Sequence, residues 1–148
     1  MDTSAAVKPA LIIAVIDDDK GMRDAIVEIL ELDGYAGRGF ASAASFLAIE
    51  PLDPCDCIIS ILRMPGIDGV GLQRRLNLAG SRIPIVFVSS YDRERTRLRA
   101  LDAGAISVLR KPVSAAELTD AVHLALGIGA RILYDDSPGM AGADIKLV

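Results

Sequence analysis

Tryptophan is absent from the 148 residues, aromatic residues make up only 4% of them, and the chain carries one histidine and two cysteines. Each scarcity excludes something. Without aromatics to spare, a platform that stacks unpaired bases is not expected, and the core has to be built from Ile, Leu, Val and Ala. One histidine and the pair Cys55 and Cys57 cannot complete a structural zinc site. The two thiols are instead expected to project into the core from one face of a strand. Long apolar runs are also missing. Leu11 to Ile16, among the longest, falls far short of the roughly 20 residues that cross a bilayer. The N-terminus, MDTSAAVKPALIIAVIDDD, leads from its apolar stretch straight into three aspartates, unlike a secretory signal. A cytoplasmic protein without membrane contact is therefore expected. Positive charge is not in excess either: the net charge of −4 argues against general nucleic-acid binding.

What remains is an ordinary globular composition, 51% hydrophobic and 24% charged, in a length suited to one domain. Leu11 to Ile16 is a continuous apolar run of the kind buried on both faces of a sheet, and it ends in Asp17, Asp18 and Asp19. Met22, Ala25, Ile26, Ile29 and Leu30 then recur at helical spacing up to Gly34. The segment Tyr35 to Phe40 is predicted as a second strand, followed by a helix capped by Ser42. Asp56 to Leu62 reads as a third strand, closed by a turn-rich stretch from Met64 to Gly69, and Val70 to Leu78 as a helix. Ile83 to Val88 and Ile106 to Leu109 complete the strands. Helices are predicted from Asp92 to Ala103 and, behind Ser114, to about Leu126.

Strands and helices alternate five times, which implies an α/β doubly wound parallel sheet with helices on both faces. In such sheets ligands sit beyond the carboxyl ends of the strands. That rule singles out Asp17 to Asp19, Ile61 to Arg63, Ser89, Ser90 and Lys111. The expected organisation is an N-terminal extension (1–9), one domain (10–127) and a tail (128–148) too short for an output domain, with Ile132, Leu133 and Tyr134 docked on the body.

Five motifs in order carry a resemblance. They are Val15-Ile-Asp-Asp-Asp19, Leu62-Arg-Met-Pro-Gly66 with Asp68-Gly69, Ser89, Ala103-Gly-Ala105 and Lys111-Pro112. Through them the chain resembles the receiver domain of bacterial response regulators, over about residues 10–127. The resemblance implies the flavodoxin-like (βα)5 fold with strand order 2-1-3-4-5, a role in two-component phosphorelay signalling, and a cis Lys111-Pro112 bond. It also implies an acidic pocket at Asp17 and Asp18 for Mg²⁺, and phosphate-sensing positions at Ser89 and Lys111. In the family's pattern the phosphoacceptor aspartate stands four residues before the Pro of the Met-Pro dipeptide, which here is Ile61. The aromatic switch position, three residues before the lysine, is Val108.

No other acid takes over the acceptor's place. Asp56, five residues earlier, should sit roughly 16 Å away at the far end of the strand. Asp68 suits a turn or cap, and Ser60 faces the other side of the strand. With acceptor and aromatic gone, Ser89 reads first as a strand-end hydrogen-bonding group. Asp17, Asp18 and Lys111 read first as an ion cluster holding loops together, and second as a residual, weak metal site. Arg93, Arg95, Arg97 and Arg99 spread around one helix, either as a solvated surface or as a basic docking face. His123 reads as an ordinary helix residue.

The function expected is a stand-alone receiver-like domain, not an enzyme, that is not phosphorylated. It would act by contact with a protein partner or as a homodimer, through the face formed by the fourth helix, fifth strand and fifth helix. Two alternatives remain open. One is a conventional phospho-accepting regulator. The other is a haloacid dehalogenase-type phosphatase built on Asp17, Asp19, Ser89, Lys111 and the pair Asp135-Asp136.

Overall fold

The computed structural model describes residues 10–49, 54–90 and 94–127. The expected tail docking through Ile132, Leu133 and Tyr134, the pair Asp135-Asp136, and Arg93 lie outside them. In chain order the elements are β1 (Ile12–Ile16), α1 (Lys20–Leu32), β2 (Ala36–Phe40), α2 (Ala43–Ile49), β3 (Cys57–Ile61), α3 (Gly69–Leu78), β4 (Ile85–Ser89), α4 (Glu94–Asp102), β5 (Ser107–Arg110) and α5 (Ala115–Ala125). All strand pairs are parallel, and the sheet order is β2-β1-β3-β4-β5, the arrangement expected.

The three central strands are apolar on both faces, so each face demands a helical cover. Ala14, Ile16, Ile58, Ile85 and Phe87 point to one side and pack under α2, α3 and α4. Ile13, Val15, Ile59, Val86 and Val88 point to the other and pack under α1 and α5. Local signals start the helices where the chain leaves the sheet. Asp19 caps α1 by accepting from the N–H groups of Gly21 and Met22, and Asp68 caps α3 by accepting from Gly71. Ser114 and Glu117 close a reciprocal capping box on α5.

Three expectations need correction. Cys55 and Cys57 do not share a face: Cys57 is buried under α1 and α5, whereas half-buried Cys55 packs against the opposite layer. Strand alternation begins only at Cys57. The preceding Asp56 bends the chain, accepting from the Ile12 N–H on its carboxylate at 2.7 Å and donating its own N–H to the Ile12 carbonyl at 2.7 Å. Burial, and secondarily the neighbouring Cys55, pushes the Cys57 thiol up to about 12. The fifth strand runs one residue later than its apolar residues suggest, because pairing with β4 continues to Ser89 opposite Arg110. His123 does more than occupy α5. Its Nε2 lies 3.0 Å from Asp33 Oδ2 and its ring is 6.1 Å from that of Tyr35, tying α5 to the end of α1.

Gly69, the first residue of α3, decides how closely that helix approaches the sheet. A Cβ there would lie 2.7 Å from Phe87 Cε1 and 3.0 Å from the Leu62 backbone. Helix propensity alone would make Gly69→Ala stabilising, so the clash decides the sign. Urea denaturation should show a loss of about 1–3 kcal/mol, the usual penalty for overpacking.

Candidate functional site

Parallel strands deliver all their carboxyl ends to one edge, and the candidate site forms there. A hollow of about 240 Å³ is lined by Asp17, Asp18, Asp19, Ile61, Arg63 and Lys111, together with Val88, Ser89 and Ser90. A second hollow beside it, of about 350 Å³, is lined by Asp18, Arg63, Met64, Pro65 and Asp68. The fold thus brings Asp17, Asp18, Ile61, Ser89 and Lys111 together. Val108 is elsewhere, half-buried against the core beneath α2–α4.

Asp17 is only 1% exposed. A carboxylate buried so deeply needs partners, and each of its oxygens faces one, while the main chain of Asp17 is held by two more contacts. Oδ1 accepts from the Asp19 N–H at 2.9 Å, and Oδ2, which has no hydrogen-bond partner, lies 3.7 Å from Lys111 Nζ. The Asp17 N–H donates to the Phe40 carbonyl at 3.1 Å, and the Asp17 carbonyl accepts from Arg23 Nη1 at 2.8 Å. Lys111 is held in turn by its N–H, which donates to the Ser89 carbonyl at 2.8 Å, next to a cis Lys111-Pro112 bond.

The expected ion cluster is therefore smaller than the sequence suggested. Asp17 and Lys111 form the pair, while Asp18 projects outward and is exposed. Consecutive residues leaving a strand point apart, which separates the two acids. Asp19 is occupied as the α1 cap. Asp56 stands at the start of β3, and Ser60 is buried with its hydroxyl donating to the Ile61 carbonyl at 2.9 Å. Arg23 was not singled out by sequence reasoning. Its position one turn into α1, on the side facing the aspartates, was the signal available. Among the described residues no group of three or more His, Cys, Asp or Glu side chains is placed to hold a metal ion, and no helix is long and apolar enough to cross a membrane.

Ile61 occupies the centre of this arrangement. It is 7% exposed at the end of β3, lines the hollow with Asp17 and Lys111, and offers an alkyl group where a carboxylate would complete an acid triad.

This combination of fold and strand-end residues defines a class. The family profile for the response regulator receiver domain matches residues 13–123. The chain belongs to that family, and is a receiver domain of the two-component type. Over 117 residues it is 33% identical to the response regulator protein TodT of Pseudomonas putida, a match covering 79% of this chain and 52% of TodT. Over 122 residues it is 36% identical to the transcriptional regulatory protein FixJ of Azorhizobium caulinodans, covering 82% of this chain and 57% of FixJ. The chain thus spans about half the length of these curated relatives. Among solved structures, FixJ-N superposes with a TM-score of 0.75 at 26% identity, covering 80% of this chain and 95% of that one. The response regulator StyR gives 0.74 at 32% identity, covering 85% and 63%.

The packing of Ile61 has a measurable consequence. Ile61→Asp adds a carboxylate beside Asp17 and removes buried apolar surface, so in EDTA it should cost about 2–4 kcal/mol by chemical denaturation. Mg²⁺ should restore part of that loss by bridging the acids. A mutant of unchanged stability in EDTA would mean that position 61 does not face Asp17.

Proposed function

We propose that this receiver domain does not form an acyl phosphate and works by protein contact alone. One observation carries the proposal: the acceptor position is the isoleucine Ile61, seated beside the Asp17–Lys111 pair. Phosphoryl transfer to a side chain needs a nucleophile, and neither Asp56, at the other end of β3, nor Ser60, buried and bonded to the Ile61 carbonyl, supports substitution. Val108 in place of the switch aromatic supports the same reading. A hard dication wants several oxygen ligands. Here Asp17 is already engaged by Lys111 and the Asp19 N–H, and only exposed Asp18 remains beside it, so Mg²⁺ binds weakly at best. Incubation with acetyl phosphate and Mg²⁺, followed by intact-mass measurement, should show no phosphoryl gain, and Mg²⁺ below millimolar should not shift the melting temperature. A stoichiometric, hydroxylamine-labile adduct would overturn the proposal.

The contact surface proposed is the face of α4, β5 and α5. Leu98 and Ile106 are exposed there at 49% and 39%, flanked by the exposed Arg95 and Arg99. Without a covalent event to shift its conformational equilibrium, this face stays in one state and its occupancy follows concentration. Reversing Arg95 and Arg99 to Glu should leave the fold intact while reducing partner capture or symmetric dimerisation in pull-down and sedimentation. Unchanged behaviour would exclude this face.

A further inference from the structure

The two helical layers carry opposite charge. On α1 and α5 five acids stand against Lys20 and Arg23, whereas on α3 and α4 five arginines stand against Glu94 and Asp102. Internal pairing does not remove the asymmetry. Asp24 is paired with Lys20, Glu117 serves the α5 cap and Arg97 bonds Glu94. Among the described residues, the exposed charges left without a partner include Glu28 and Glu31 on one side, and Arg74, Arg75, Arg95 and Arg99 on the other.

A second observation falls on the same two helices. The two most exposed large apolar side chains among the described residues are Leu32, at 84%, and Leu78, at 89%. Each ends its helix, α1 and α3 respectively, and each lies four residues after an unpaired charge, Leu32 after Glu28 and Leu78 after Arg74. Residues four apart share one helix face. The outer faces of α1 and α3 therefore present the same motif, a charge followed one turn later by a solvent-exposed leucine, with the sign of the charge reversed.

We infer that α1 of one copy docks on α3 of the next, with the two helices parallel, so that Leu32 meets Leu78 and Glu28 meets Arg74. The two surfaces differ and lie on opposite layers of the domain. The contact is therefore heterologous, and repeating it generates an open chain of copies in place of a closed dimer. It goes beyond the proposed α4-β5-α5 contact and uses none of its residues.

Light scattering and sedimentation of the full chain over a concentration series test this. At roughly 20 mM salt the average mass should climb past that of a dimer without a plateau, and at roughly 500 mM salt, where charges are screened within a few ångströms, it should fall. Glu28→Arg and Arg74→Glu should each weaken association by about fivefold or more, and the double exchange, E28R with R74E, should restore it. Leu78→Ser should weaken it whatever the charges. Circular dichroism should be unchanged throughout, since all these side chains are exposed. A monomer at every concentration, a closed dimer insensitive to Glu28 and Arg74, or a double exchange that fails to restore association would each overturn the inference. Loss of association in R95E/R99E alone would assign self-contact to the other face and also overturn it.

Discussion

A carboxylate that is almost wholly buried has to be neutralised and hydrogen-bonded where it stands; the Asp19 N–H and Lys111 meet that demand on the Asp17 side chain, and its main-chain N–H and carbonyl draw in two further contacts. Its partners come from the α1 cap, from Arg23 within α1, from the end of β2 and from Lys111 after β5. Those segments span most of the sheet's width, from the edge strand β2 to the edge strand β5. The charge thus acts as a clamp on the carboxyl edge of the sheet, and the two-sided apolar core beneath it supplies the rigidity against which the clamp closes. Removing only one member of such a pair is costly, because the other is left buried and unpaired.

Seen from this clamp, Ile61 is less an empty place than a different solution. Where another receiver carries a third acid and needs a cation to offset the repulsion, this one fills the floor with alkyl carbons and leaves one lysine facing one buried acid. The buried acid finds its counter-charge in the chain's own Lys111.

The central strands were legible in the sequence because residues 12–16, 57–61 and 85–89 are apolar on both parities apart from Ser60 and Ser89, a pattern that fits a doubly covered strand. The edge strand β2, Ala-Gly-Arg-Gly-Phe, carries almost no such signal, and its assignment rested on alternation with its neighbours. At the site, the grouping of Asp17, Asp18, Ile61, Ser89 and Lys111 followed from the order of the strands. The use of each acid did not. Capping, ion pairing and exposure all call for the same residue type, and only backbone direction separates Asp19 on the helix, Asp17 in the core and Asp18 in solvent. Cys55 was misplaced for a similar reason, since periodicity holds only after the bend at Asp56. The link from His123 to Asp33 joins residues 90 positions apart, beyond the reach of any local pattern.

Arg23 reaches the Asp17 carbonyl by lying across β2, and it fits there because position 39 is glycine. A Cβ at Gly39 would stand 3.0 Å from Arg23 Cδ and 3.1 Å from Cγ. A bare patch on an edge strand and a buried acid on its neighbour are in this way joined by one side chain. During divergence, Gly39 is not free to drift as a solvent-facing position would be. A larger residue there would push the guanidinium away from the Asp17 carbonyl, and a shorter residue at 23 would release the constraint on 39 altogether. Position 39 should therefore depart from glycine only where position 23 has become shorter, so the history of the acidic edge is written partly into a glycine that never touches it.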